Sequence, residues 1–127
     1  MPFRDMLLLP HFWSIVISSV LSIAALLTVF LKKDTKISFI FHTVLMSLSI
    51  VLNFMAIILT RNFNLRSLHA ILGMNSANLF ITAAFGGILA KLKIRRKETV
   101  KKIHLWWGVI VFLYSIGVSI YGIISFI

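Results

Sequence analysis

Residues 10–31 read PHFWSIVISSVLSIAALLTVFL, a stretch without a single charged side chain. A helix that rises about 1.5 Å per residue needs about 20 residues to cross the hydrocarbon core of a bilayer, and this stretch is long enough. Pro10 suits the first turn of a helix, where its missing N–H has no intrahelical partner to lose. The stretch therefore predicts a transmembrane helix.

Three further apolar runs follow this stretch, separated by short polar segments. Together they predict four spans, at about residues 10–31, 37–59, 65–90 and 103–126. Because the connections are short, consecutive helices should be antiparallel neighbours. The predicted fold class is all-α, an integral membrane four-helix bundle with up-down-up-down topology, and residues 1–127 form one transmembrane domain. The first span is too long for a signal peptide and lacks a small-residue cleavage site.

The composition excludes several classes of protein. Of 127 residues, 60% are hydrophobic and 13% charged, whereas about a quarter is charged in a soluble domain. The absence of cysteine excludes disulfides, thiolate metal sites and covalently attached haem. The three carboxylates, Asp5, Asp34 and Glu98, fall in tails or loops. A proton-coupled exporter with a carboxylate inside the bilayer, and a hydrolase with paired carboxylates, are therefore not supported.

The positive charge predicts the orientation of the chain. The loops at residues 32–36 and 91–102 hold ten of the thirteen Lys and Arg residues. The positive-inside rule places both loops in the cytoplasm and both termini outside, for a protein that crosses the cell membrane four times. The basic residues flank bilayer spans and show no base-stacking module, so we expect no nucleic-acid partner.

The four histidines, His11, His42, His69 and His104, each lie in the opening turns of a different predicted helix. Since the helices alternate in direction, His11 and His69 share the outer level, and His42 and His104 share the inner level. Each pair sits on diagonal helices of the bundle and can reach both faces of a flat macrocycle. Neutral imidazole is a good axial ligand of haem iron. The sequence thus predicts two bis-histidine haem sites, with these four residues as the metal ligands.

Small residues follow three of the histidines at helical spacing and would give a porphyrin the room that it needs. Gly73 and Gly108 lie one turn after His69 and His104 and are candidate haem contacts. The other small positions are Ala77, Ala84 and Gly87 after His69, Ser115, Ser119 and Gly122 after His104, and Ser18, Ser22 and Ala25 after His11.

Other polar residues have predicted roles near the haems. Asn53, Asn75 and Asn78 are expected to tie helices together or to line a haem or quinol pocket. Cationic side chains near the interfaces are candidate partners of the haem propionates, although simple flanking of the spans is the alternative. These candidates are Arg66 on the outer side and Lys36, Lys101 and Lys102 on the inner side.

Two segments carry a resemblance to a known family. LHAILG at residues 68–73 and IHLWWG at 103–108 are similar to the histidine-then-glycine pattern of the cytochrome b561 family. The resemblance implies four central helices with one histidine each, and two non-covalent b-type haems near opposite membrane faces. It pairs His11 with His69 and His42 with His104. The chain has no clear counterpart of the family's ascorbate-binding sequence.

The function that this resemblance implies is electron transfer across the membrane, as an oxidoreductase component. The donor and acceptor stay open among quinol-like, ascorbate-like and protein redox partners, and independent enzymatic turnover stays open as well. The alternatives are a haem b anchor subunit of a quinol-linked complex, a haem-free membrane scaffold and a haem-delivery protein. A homodimer and a place in a larger complex are both compatible with the sequence.

Overall fold

The computed structural model describes residues 9–31, 35–60, 67–92 and 96–125. These residues form four α-helices, namely α1 (Pro10–Leu31), α2 (Lys36–Ile58), α3 (Leu68–Lys91) and α4 (Lys97–Ile124). All four are long and apolar enough to cross a membrane. The prediction of an all-α protein with four membrane-spanning helices is therefore confirmed.

Capping side chains define where α2 and α3 begin. The backbone N–H of Ser38 donates to the hydroxyl of Thr35 (3.1 Å), and that of Ala70 donates to the hydroxyl of Ser67 (3.2 Å). Each cap satisfies one N–H that lacks an intrahelical acceptor. Because Ser67 is the cap, α3 begins at Leu68, later than the predicted start near residue 65.

Helix α4 begins earlier than its apolar run. Residues 97–102 are helical and largely exposed, whereas the predicted span starts near residue 103. Glu98 lies in the first turn, where a negative charge favours the helix dipole, and it forms an exposed ion pair with Lys101 at 3.0 Å. These local interactions extend the helix beyond the segment that hydropathy alone predicts.

Helices α1 and α2 form an antiparallel pair, called the first hairpin here. At the end where residues 32–35 join the helices (its turn end), the hydroxyl of Ser38 donates to the carbonyl of Thr28 at 2.6 Å. At the opposite end (its open end), Nδ1 of His11 lies 2.8 Å from the carbonyl oxygen of Ala56. The end of α1 thus contacts the start of α2, and the start of α1 contacts the end of α2, as in an antiparallel pair.

Four buried polar side chains fill the centre of the first hairpin. The hydroxyl of Ser49 lies 2.8 Å from that of Ser18 and 2.6 Å from that of Ser22. The amide of Asn53 donates to the Ser18 hydroxyl (2.6 Å) and to the backbone carbonyl of Ser49 (3.1 Å). The prediction that Asn53 ties helices together is thereby confirmed. This face of α1 is closed by α2, although the sequence suggested open space beside Ser18 and Ser22.

Helices α3 and α4 form the second hairpin, which is also antiparallel. Its turn end, at residues 92–96, has His104 beside Gly87, and its open end has His69 beside Gly122. The buried side chains between the helices are mostly apolar or small, and they are Ser76, Ala77, Phe80, Ala83, Val111, Val118 and Gly122. Asn75 and Asn78 lie on the exposed surface of α3 and do not join it to α4.

Candidate functional site

Each hairpin carries one histidine near each of its ends. His11 and His69 are the second residues of α1 and α3, and they lie at the open ends of the first and second hairpins. His42 and His104 lie about two turns into α2 and α4, towards the turn ends. All four imidazoles are partly buried against the neighbouring helix of their own hairpin.

In the first hairpin, the imidazole of His11 is held through Nδ1. This nitrogen lies 2.8 Å from the carbonyl oxygen of the fully buried Ala56. Because a carbonyl only accepts hydrogen bonds, Nδ1 carries the proton and Nε2 keeps its lone pair. The hydroxyl of Thr60 donates to the same carbonyl (2.9 Å), and its oxygen lies 3.1 Å from Nδ1. This oxygen is therefore a second acceptor for the Nδ1–H group.

His42 repeats this arrangement at the turn end. Its Nδ1 lies 3.0 Å from the carbonyl oxygen of Ala25, which is also fully buried. The hydroxyl of Thr28 donates to that carbonyl at 2.7 Å. Protein histidines that ligate metals usually donate their second ring N–H to such an acceptor, which fixes the tautomer and the ring direction. In both histidines of the first hairpin, Nδ1 is thus the donor to a backbone carbonyl, and Nε2 is the ring nitrogen that would ligate a metal ion.

In the second hairpin, glycine residues receive the imidazole rings. A Cβ atom built on Gly122 would lie 2.5 Å from Cε1 of His69, so only a glycine leaves room for that ring. At the turn end, a Cβ on Gly87 would lie 3.1 Å from Cε1 of His104, and one on Gly86 would lie 3.4 Å from its Nδ1. On sequence grounds, Gly87 and Gly122 are expected to make room for a porphyrin. Instead, they make room for the histidine of the neighbouring helix.

Gly73 and Gly108 have the open surroundings that were expected of them. Among the described residues, no atom outside their own helix backbone and chain neighbours lies within 4 Å of a Cβ built on either glycine. Each follows a histidine by one turn, so the space lies on the histidine-bearing side of α3 and of α4. Space of this kind beside an imidazole fits a bulky planar ligand. Their contact with haem stays a prediction.

The donor set fits an axially ligated haem better than a bare metal ion. Within the described ranges, no group of three or more His, Cys, Asp or Glu side chains comes together as a metal site. A haem iron needs only one or two axial ligands from the protein, because the porphyrin supplies the other four. The first hairpin offers imidazoles with a fixed tautomer, at His11 and His42. The second hairpin offers unfilled space one turn from His69 and His104. Together these features meet that need.

The basic candidates that the structure describes lie near the starts of α2 and α4. Lys36 is the first residue of α2 and is exposed. Lys101 is exposed and paired with Glu98, and Lys102 is exposed beside it. Arg66 lies outside the described residues. The role of these side chains as propionate partners stays a prediction.

Sequence reasoning missed the residues that orient the imidazoles. The acceptors at Ala25 and Ala56 are backbone carbonyls, which leave no trace in the amino-acid sequence. Thr28 and Thr60 did leave a trace, since each is a hydroxyl residue within one turn of the alanine whose carbonyl it contacts. Their pairing with His42 and His11 depends on the register of α1 against α2.

The chain was compared with protein families, with curated proteins and with solved structures. The family model described as eukaryotic cytochrome b561 matches residues 11–127, which include all four helices and all four histidines. No curated protein and no solved structure matches the chain.

Proposed function

Because this chain belongs to the cytochrome b561 family, we propose that it carries electrons across a membrane by holding two non-covalent b-type haems, each between two histidines. Membership of the family implies haem b and transmembrane electron transfer in general terms. The number of haems, their ligands and the direction of flow are our proposal. Iron that alternates between its ferric and ferrous states is the chemistry that such a group supplies when bound.

One observation carries the proposal, namely the placement of one histidine at each end of each hairpin. In the predicted up-down-up-down topology, His11 and His69 share the level of the open ends, and His42 and His104 share the level of the turn ends. Each pair takes one imidazole from each hairpin, which is what two ligands on opposite faces of one macrocycle require.

The helices also set the distance between the two ligand levels. In the first hairpin, His42 contacts α1 at Ala25, which is 14 residues, or about 21 Å of rise, beyond His11. In the second, His104 contacts α3 at Gly87, 18 residues or about 27 Å beyond His69. The ligand levels are thus most of a membrane thickness apart, so the chain holds one redox centre near each face.

The electron donor is proposed to be a quinol-like or ascorbate-like reductant or a redox protein, and the acceptor to be a second carrier on the opposite side. The exposed basic residues Lys36, Lys101 and Lys102 lie near the turn ends, where an anionic partner would be attracted. By the positive-inside rule, this side is cytoplasmic.

The proposal is tested by haem content and electron paramagnetic resonance of the purified protein. We expect two haems per chain, both extractable with acid–acetone, and two low-spin ferric signals. His11→Ala and His69→Ala should remove the same low-spin signal, and His42→Ala and His104→Ala the other. In the pairs His11/His69 and His42/His104, double substitution should add little to either single one, because one site is already broken.

Methionine variants provide the matched controls, since thioether sulfur is another side-chain ligand of haem iron. Met46→Leu and Met74→Leu should keep both low-spin signals. A haem content near zero, or the loss of different signals in His11→Ala and His69→Ala, would contradict the proposal.

A further inference from the structure

The six glycines of the chain all lie in the second hairpin, and they divide into two groups of three. For Gly73, Gly108 and Gly117, no atom of the described residues outside their own helix backbone and chain neighbours lies within 4 Å of the position that a Cβ would take. For Gly86, Gly87 and Gly122, the three nearest atoms to that position all belong to a histidine. At each of these three positions, the missing side chain therefore leaves space that a histidine side chain occupies.

Gly122 makes the closest of these approaches. A Cβ there would lie 2.5 Å from Cε1, 3.0 Å from Nδ1 and 3.2 Å from Nε2 of His69, and Gly122 itself is buried. The Cε1 edge of the ring thus faces the backbone of α4, with both nitrogens about equally distant.

The two glycines at the turn end seat His104 in a similar way but less tightly. The Cε1 atom of this imidazole would lie 3.1 Å from a Cβ on Gly87, and Nε2 would lie 3.4 Å from it. Nδ1 lies over Gly86, 3.4 Å from the corresponding Cβ position. The ring therefore spans two consecutive glycines, and Gly87 is the more restrictive of the two.

From these contacts we propose that Gly122 and Gly87 are positioning residues, which fix the imidazoles of His69 and His104 in the direction needed to ligate iron. This inference rests on the proposed function, because it concerns the ligands of the proposed haems. Neither glycine touches the iron. Each acts through a histidine, by letting the ring lie closer to the neighbouring backbone than a side chain at that position would allow.

The three glycines predict a graded series of effects. An added methyl group at Gly122 cannot coexist with the present ring of His69, so the ring must rotate or leave. The same change at Gly87 requires a shift of a few tenths of an ångström at His104, and at Gly86 it is close to ordinary contact. Gly117→Ala is the matched control, because Gly117 lies on α4 one to two turns before Gly122 and has open space around it.

The experiment measures haem content and the two low-spin ferric signals in Gly122→Ala, Gly87→Ala, Gly86→Ala and Gly117→Ala. In Gly122→Ala, the low-spin signal that depends on His69 should fall about tenfold, a size typical of lost ligand support, while the other signal persists. In Gly87→Ala, the signal that depends on His104 should shift or fall by a smaller factor. Gly86→Ala and Gly117→Ala should resemble the unmodified chain.

The second signal serves as an internal check of folding in each variant. If Gly122→Ala lowers both signals equally, or if Gly117→Ala lowers them as much, the glycines act through general packing and the inference is overturned. Unchanged signals in Gly122→Ala also overturn it and leave the proposed function standing. If the unmodified chain binds no haem, the proposed function itself fails, and the inference fails with it.

Discussion

The two hairpins hold their helices together by different chemistry. The first hairpin has a buried network of hydroxyl and amide groups, from Ser18, Ser22, Ser49 and Asn53, and it contains no glycine. The second is centred on Phe80, alanines and valines. Lipid tails are as apolar as a leucine side chain, so helices in a membrane associate through packing and hydrogen bonds more than through hydrophobic transfer. The first hairpin relies mainly on hydrogen bonds, and the second relies mainly on packing.

The histidines follow the same division. Those of the first hairpin are oriented by a backbone carbonyl with a threonine hydroxyl beside it, and those of the second are seated on glycine. If His11 pairs with His69 and His42 with His104, every iron receives one imidazole of each kind. Ligand direction would then be set on one face by hydrogen bonding and on the other by close approach to a backbone.

The largest expected effect is in a test of transmembrane orientation by thiol labelling, because a residue on one side of the membrane is labelled fully and a residue on the other side is not labelled. Single cysteines at Thr99 and Asn62 introduce the only thiols into this cysteine-free chain. An impermeant thiol reagent on intact cells should label Asn62→Cys and spare Thr99→Cys, because the basic loops are expected in the cytoplasm. Permeabilised cells should label both variants. Labelling of Thr99→Cys alone in intact cells would reverse the orientation and exchange the outer and inner histidine pairs.

The number and type of helices could be predicted from the sequence, because a membrane span must be apolar over about 20 residues. The residues at which the helices begin and end were harder to predict from the sequence. Ser67 caps α3 through one hydrogen bond, and the exposed start of α4 is supported by Glu98 and Lys101. Such local interactions outweigh hydropathy at a boundary, so predicted and observed ends differ there.

The candidate site could be predicted only in its ligand residues. Four histidines at the starts of four helices are visible in the sequence, but what each ring contacts depends on the register between helices. Gly122 lies 53 residues from His69, and no periodic pattern within α4 reveals that the ring rests there. Of the small residues expected to make room for a porphyrin, Ser18 and Ser22 contact α2, and Gly87 and Gly122 lie against a histidine of the neighbouring helix.

The second hairpin should be weakened by removal of the Phe80 ring, the largest buried side chain among the described residues. Phe80→Ala removes a ring that is 2% exposed, and we expect the free energy of unfolding to fall by about 2 kcal/mol, because the cavity costs packing although transfer to lipid costs little. Phe85→Ala, on the exposed side of the same helix, is the matched control and should have little effect. Circular dichroism during titration with a denaturing detergent measures both. Equal losses in the two variants would show that the core of this hairpin lies elsewhere.

A smaller loss is expected when the polar network of the first hairpin is broken. Ser49→Ala removes the hydroxyl that contacts both Ser18 and Ser22, and interhelical hydrogen bonds in membranes contribute about 1 kcal/mol. Ser47→Ala, at an exposed position of α2, is the control. In the same detergent titration, Ser49→Ala and Ser18→Ala should be non-additive, since they share one contact. Strictly additive losses would mean that the network is not a unit.

The smallest effect should come from Thr60, and it tests whether the hydrogen bonds of the first hairpin tune the redox centre. The oxygen of Thr60 is 3.1 Å from Nδ1 of His11. Thr60→Val keeps the side-chain shape but removes this acceptor, which makes the imidazole a weaker electron donor to iron and favours the ferrous state. The midpoint potential of the haem that depends on His11 should therefore rise, by less than the ~59 mV that corresponds to a tenfold change in a one-electron couple.

Thr43→Val is the matched control, because Thr43 donates to the carbonyl of Phe39 at 2.9 Å, as Thr60 does to Ala56. A spectroscopic redox titration measures the midpoint potential of this haem in both variants. Equal shifts in the two variants, or a lower potential in Thr60→Val, would contradict the prediction. The Ala56 carbonyl alone would then orient the imidazole, and the Thr60 hydroxyl would not tune the potential.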